Sequence, residues 1–399
     1  MEASRARIFT VVFGAFGFFG IFWGTFAVLL ADLSRALDLS PGFLGLALFA
    51  GAAASILSMA AFGWMADFLG RRVFLLLAGG VFGLGISGLS VAGSYAALIL
   101  VLLVLYAASG LYDVGINAAA VDLERITGRR YMTLIHATFS FGGMIGALSA
   151  GALLEAGVGF RYVYLTVLFP LAAVLLSWSI INFPRLEDLP EKGDGVGRYD
   201  LFRNVPLLLV AAIATLSLLS EGEMEHWSGI YLRDNVGLPA LLGSSGVAVF
   251  YGAMAIGRLA SASVVARFGN RSVLLGTGLF VSGGMTVALS TTRPAVIIAG
   301  FLVVGLALSA VVPVAFSMAG DLAPCRAGSA VSVVTTFGYG GFLVGPVIVG
   351  GLAELLGLRL ALATVAVAGA LIFILSTRLG AHKPASANFD SSRGHRRQV

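Results

Sequence analysis

The stretch Gly63 to Arg72, GWMADFLGRR, is a short charged hinge between two long runs that carry no charge. Gly42 to Met65 holds no charged residue upstream, and Val73 to Ser109 holds none downstream. An aqueous core can hide one such run as a helix. Two in succession, each about 20 residues or longer, match the hydrocarbon thickness of a bilayer. Composition agrees: 58% of the residues are hydrophobic, 11% are charged and the mean hydropathy is +0.97, where a soluble domain carries about 25% charged residues. The chain therefore reads as an all-α polytopic membrane protein. The alternation that a membrane β-barrel requires is absent from the sequence.

Apolar runs predict twelve spans. The first six cover 8–31, 41–65, 73–92, 95–121, 131–156 and 160–181. The second six cover 205–231, 240–264, 272–290, 294–319, 327–353 and 360–377. Ile8 to Ala31 is longer than a secretory signal core and is read as the first span. Residues 1–181 then form an amino-terminal six-helix bundle, 182–204 a polar cytoplasmic linker, 205–379 a carboxyl-terminal six-helix bundle and 380–399 a disordered cytoplasmic tail. Lysine and arginine orient the bundle. With both ends inside, the inner segments hold nineteen of them and the outer loops only five, Arg35, Arg161, Arg233, Arg293 and Arg359. That bias places both termini in the cytoplasm. The formal charge of +5 is spread over turns and gives no reason to expect nucleic acid as a partner. Cys325 is the sole cysteine, which excludes a disulfide framework.

The two halves echo each other. Phe141-Gly142-Gly143 matches Tyr339-Gly340-Gly341 and Arg161 matches Arg359 at a shift of 198, while Gly70 and Arg72 match Gly269 and Arg271 at 199. Two related halves rocking about a central site are a recurrent solution for secondary transport.

Ionisable groups inside a bilayer face a cavity or a partner. Asp113 lies well within the fourth predicted span, and Asn117 presents an amide one turn later on the same face. His136 sits in the fifth span. These three suit a coupling site or cavity; interhelical hydrogen bonding is the alternative. Span seven carries Glu221, Glu223 and Glu225 in succession, then His226 and Trp227. Glu221 and Glu225 share a helix face and Glu223 points away. Glu221 is the coupling candidate, and Glu223 and Glu225 read as solvated vestibule residues. Trp227 suits either stacking on a substrate or anchoring at the interface. Phe19 and Trp23, one turn apart in span one, suit either an apolar wall for a ligand or lipid contact. Tyr339, beside the glycines of span eleven, is a further cavity candidate. At the cytoplasmic ends, Asp67, Glu124 and Arg125 join Arg71 and Arg72 as candidates for a gate; topology enforcement alone also explains the two arginines.

The chain resembles the major facilitator superfamily over nearly its whole length. Gly63, Asp67, Gly70, Arg71 and Arg72 are similar to that superfamily's motif between spans two and three, which implies a cytoplasmic gating role. GRLASASVVARFGNR, 257–271, resembles the motif's echo in the second half, keeping Gly257, Arg258, Arg267, Gly269 and Arg271 but showing Ser261-Ala262-Ser263 where an aspartate is expected. The echo implies a gate role for Arg258. A narrower likeness, carried by DVGINAAAVDLE, RRYMTLIHATFSFGG, EGEMEHWSGIYLRD and GYGGFLVGP, is to bacterial fucose-permease-like sugar porters. It implies a monomeric transporter of the bacterial inner membrane, surrounded by lipid and binding a small-molecule substrate.

No nucleotide-binding glycine loop with lysine is present, and the four histidines are too scattered in sequence to suggest a metal. Nothing points to an enzyme or to a cofactor. An ion gradient is the remaining energy source, with protons suited to the interior Asp, Glu and His and sodium as the alternative. The leading expectation is proton-coupled symport of a small polar solute such as a sugar or related metabolite. The alternatives are a proton-driven exporter of amphipathic compounds and, remotely, a non-transporting sensor. Reporter fusions after Asp188 and at the carboxyl end should both read cytoplasmic; an external signal at either point breaks the count of six spans per half.

Overall fold

The computed structural model describes residues 2–181, 183 and 201–379. The predicted linker, apart from Phe183 and 201–204, and the predicted tail lie outside the described residues. Among the described residues, twelve helices are long and apolar enough to cross a membrane. Spans one to six are Arg5–Ala36, Pro41–Phe62, Arg71–Val91, Tyr95–Thr127, Met132–Glu155 and Phe160–Ile180. Spans seven to twelve are Val205–Asn235, Ala240–Phe268, Asn270–Leu289, Pro294–Leu322, Ala327–Leu356 and Leu358–Thr377. Local chemistry fixes several ends. Ser40, Ser94 and Asn204 each accept a hydrogen bond from a backbone amide of the first helical turn, satisfying a donor the helix leaves free. Gly128 ends span four in the left-handed conformation, which glycine tolerates without a Cβ clash.

Spans one, four, seven and eight outrun their expected limits. Charged residues end each of them, and most of these side chains are neutralised by partners, so the helix continues past the last uncharged run. Spans six and ten break at Val167 and at Ser309–Ala310. Pro170 and Pro313 follow those breaks, and a proline ring clashes with the carbonyl four residues before it. Span seven runs unbroken past Gly222 and widens into a π turn at Tyr231–Asn235.

The packing repeats between halves. Span one lies on five as seven lies on eleven, two on four as eight on ten, and three on four as nine on ten. Arginines reproduce the symmetry in detail. Arg72 donates to the Ser179 carbonyl at the end of span six, and Arg271 donates to the Thr377 carbonyl at 3.0 Å at the end of span twelve. Arg161 reaches the Ser90 carbonyl at 3.3 Å, closing span three, and Arg359 the Leu289 carbonyl at 2.8 Å, closing span nine. Each supplies a donor to carbonyls left free at a helix end and a positive charge to the negative pole of the helix.

Within the halves, glycine sets the distance between helices. A Cβ on Gly20 or Gly24 would overlap the carbonyls of Phe139 and Gly143 on span five, and one on Gly142 or Gly146 would overlap those of Gly17 and Ile21 on span one. A Cβ on Gly341 would likewise overlap the Thr215 carbonyl between spans eleven and seven. Small residues allow this approach where lipid supplies no hydrophobic drive. Gly24→Val should therefore cost roughly 3 kcal/mol or more, seen as loss of monodisperse protein after mild heating. Gly14→Ala, where a Cβ meets no atom within 4 Å, should leave that measurement unchanged.

Candidate transport cavity

Spans five and eight, and spans two and eleven, form the main seams between the halves, with span one against seven between them. The contacts across the seams concentrate between the middle of the bundle and the face opposite the chain's described ends. There Arg233 of span seven pairs with Asp32 of span one, its Nη2 3.0 Å from Oδ1. Arg35 lies 3.5 Å from Asp234. Midway along, Tyr251 of span eight stacks edge-on to Phe139 of span five at 6.1 Å and covers Gly143. Toward the face that carries the described ends, interior groups become accessible: His136 is exposed and Tyr339 is 41% exposed.

Those accessible groups converge from both halves. Asn117 donates to the Asp113 carboxylate and to its carbonyl, both at 2.9 Å. The pair is half-buried, and Tyr339 of span eleven lies within electrostatic reach of Asp113 and Glu221. Arg258 of span eight lies 3.6 Å from Glu221 of span seven. It crosses the seam to donate to Ser140 Oγ at 2.6 Å and to the His136 carbonyl at 3.3 Å on span five. Span four, span five, span seven, span eight and span eleven thus each contribute a polar group to one centre. The chemistry available there is ion pairing, hydrogen bonding and proton exchange. Among the described residues no cluster of His, Cys, Asp and Glu could hold a metal ion.

Several expectations change with the geometry. Arg258 lies well within its helix: span eight continues to Phe268, about 15 Å beyond it. At the shift of 199 the places of Gly63, Asp67 and Arg71 are taken by Ala262, Ala266 and Asn270, so the missing aspartate falls at 266 and the departure from the hinge pattern is spread over all three positions. Glu223 and Glu225 are not solvated; they are 0% and 8% exposed. Glu225 looks toward Tyr251, near Glu221 and Arg258, whereas Glu223 accepts from Thr364 of span twelve at 2.9 Å. Trp227 is 1% exposed, which removes the interfacial-anchor reading. Phe19 and Trp23, 7% and 8% exposed, do not meet lipid. Their rings lie 6.1 Å apart, with Tyr106 at 5.0 Å from Trp23 and Phe139 at 5.7 Å from Phe19, forming an aromatic wall beside the polar centre.

The hinge is a network within the amino-terminal half. Arg71 joins Asp67 to the buried Asp122 of span four, at 2.8 Å from the latter, and Arg125 stands 4.0 Å from Asp122. Glu124 caps span five, accepting from the Tyr131 amide and from Met132 N at 2.8 Å. Gly63 sits against the Met59 carbonyl, and Gly70 takes φ 80° to turn the chain. The sequence pattern assigns no role to Asp122 or to His226. The first lay just past the expected end of span four. The second joins the halves through Tyr106, 3.4 Å from its Nε2.

The profile of the Major Facilitator Superfamily matches residues 11–261 and 226–398. The chain belongs to this superfamily. It is 33% identical over 353 residues to an uncharacterised MFS-type transporter of Yersinia pestis, covering 88% of this chain and 90% of that one. It is 27% identical to the membrane protein MosC of Rhizobium meliloti over 96% of this chain and 93% of that protein. Among solved structures it shares its fold with the nucleoside transporter NupG, at a TM-score of 0.76 and 13% identity, covering 95% of this chain and 100% of that one. A bacterial homolog of the human lysosomal transporter Spinster gives a TM-score of 0.78 at 15% identity over 95% of this chain and 98% of that one. The protein is thus a secondary transporter of alternating-access fold, and not an enzyme.

Burial ranks the two acids of the hinge. Asp122 is 4% exposed at its side chain and Asp67 is 55% exposed. Asp67→Asn should cost only about 0.5–1 kcal/mol, while Asp122→Asn, which leaves Arg71 partly buried without its inner counter-charge, should cost clearly more. Thermal unfolding in detergent checks the order, and equal losses would mean that the network acts as one unit.

Proposed function

We propose that the protein is a proton-coupled symporter of a small polar solute such as a sugar or related metabolite. The observation that carries this reading is the contact of Arg258 with Glu221 in its own half and with Ser140 across the seam, beside Asp113–Asn117. A proton on Glu221 would cancel the charge that holds Arg258, freeing the guanidinium for the solute and for a change in its grip on span five. Asp113, Asn117 and Tyr339 offer acceptors and donors of the kind a hydroxylated solute needs. The positive-inside bias assigns the face with the described ends to the cytoplasm, so the cavity opens inward. His136, accessible at that opening, lies on the route a proton would take. Sodium is the alternative coupling ion, since carboxylates and carbonyls also bind it. The aromatic wall of Phe19, Trp23, Phe139 and Tyr251 favours a second reading, proton-driven export of amphipathic compounds.

Uptake of a labelled compound library into proteoliposomes, with an imposed pH or sodium gradient, separates these readings. Symport predicts accumulation of a polar solute driven by the pH gradient and collapsed by a protonophore. Glu221→Gln or Asp113→Asn should lower that accumulation by tenfold or so or beyond, about 1.4 kcal/mol per decade, while solute exchange without a gradient persists. Full gradient-driven uptake in both variants would remove these carboxylates from coupling.

A further inference from the structure

Two carboxylates at the face opposite the described ends reach across the seams in a matched way. Glu155, the last residue of span five, places Oε2 3.4 Å from the backbone nitrogen of Leu241, the second residue of span eight. Glu354, near the end of span eleven, places Oε2 3.0 Å from the backbone nitrogen of Gly42, the second residue of span two. A shift of 199 relates the two carboxylates, and the same shift relates the two amides. The surroundings repeat as well. A Cβ on Gly151 would overlap Ser244 and lie 3.2 Å from Leu241 Cα, and one on Gly350 would lie 2.6 Å from the Pro41 carbonyl and 3.1 Å from Gly45 Cα. Gly151 and Gly350, and likewise Gly45 and Ser244, are again 199 apart.

We propose that Glu155 and Glu354 are paired positioning residues of the transport cycle. Each seats on the free amides of a helix start in the other half and holds the face opposite the described ends shut. A helix start leaves its first amides unpaired and carries partial positive charge, so an anion from outside the helix is well placed there. Neither contact lies within one half, so neither contributes to the stability of a half by itself. Their positions on the two opposite seams, five with eight and two with eleven, mean that a rigid rocking of one half on the other must release both. The Asp32–Arg233 pair differs, because it lies between spans one and seven and has no such twin. The inference rests on the alternating-access fold and not on which solute is carried.

Spin labels on the outer ends of spans two and eleven, and separately of five and eight, test it in solute-free protein in lipid discs. Glu155→Ala and Glu354→Ala should each raise the fraction with that face open by about two- to fivefold, the effect expected for a charge at a helix end. The double variant should approach the product of the two factors. The Gln variants keep an oxygen acceptor and should shift less. Removing one clasp should widen both label pairs, because the halves move as bodies. Unchanged distances in the double variant, or widening confined to the seam whose carboxylate was removed, would overturn the proposal. If the double Ala protein does not fold, the double Gln protein decides, and no widening there overturns it equally. Loss of solute specificity or of proton dependence would bear on the proposed function and leave these distances untouched.

Discussion

Arg258 is a guanidinium that the bundle carries deep into a span, and the central groups are arranged around its neutralisation. Asp113, Glu221, Glu223 and Glu225 are the acids at comparable depth. At 3.6 Å the attraction between Glu221 and Arg258 is roughly 4–5 kcal/mol at an effective dielectric near 20. Withdrawing two such ions from water costs several kcal/mol each. The pair therefore adds little to stability, and apolar residues would pack the same space at least as well. What it gives is a charge whose partners sit in both halves, with Glu221 on one side and Ser140 and the His136 carbonyl on the other. Such a contact responds to a proton or a solute in a way that packing does not.

The duplicated architecture shows which parts of the chain are structural and which are specialised. Arginine closure of helix ends recurs in both halves, at Arg72 with Arg271 and at Arg161 with Arg359. Recurrence at equivalent places argues for a requirement of the fold, namely free carbonyls at a membrane surface. The Asp67–Arg71–Asp122 network occurs once. Its second-half place has Ala266 and Asn270, although Asp321 stands at the position of Asp122. The network ties the hinge to span four of its own half, so it stiffens one rocking body.

The spans, their number and the pairing of the halves were legible because each rests on a local rule: a long uncharged run, a turn with arginine, a repeated glycine. Span ends were legible only where charge was unpaired. Asp32 and Arg35 look like loop residues until Arg233 and Asp234, some 200 residues away, neutralise them across a seam. The same distance in sequence hid the roles of Glu155 and Glu354. Side-chain depth was the other limit. Helical periodicity separated Glu223 from Glu221 and Glu225, but only the packing of span twelve against span seven revealed that Glu223 is buried and accepts from Thr364.

The strengths of the contacts then make sense together. A carrier must visit two states, so neither face can be closed by more than a few kcal/mol in total. Deep pairing at the seams would hold one state too firmly, and purely apolar seams would lack any response to an ion. Here most contacts near the surface are exposed ones, Glu155 and Glu354 on helix starts and Arg35 beside Asp234, where water screens them and each counts for little. The less exposed Asp32–Arg233 pair is the stronger hold at that face. The contact of Arg258 with Ser140 lies at the proposed site of solute and proton. Closure by one ion pair and several screened contacts at one face, with a responsive contact at the centre, is an arrangement in which occupancy of the centre can decide which face opens.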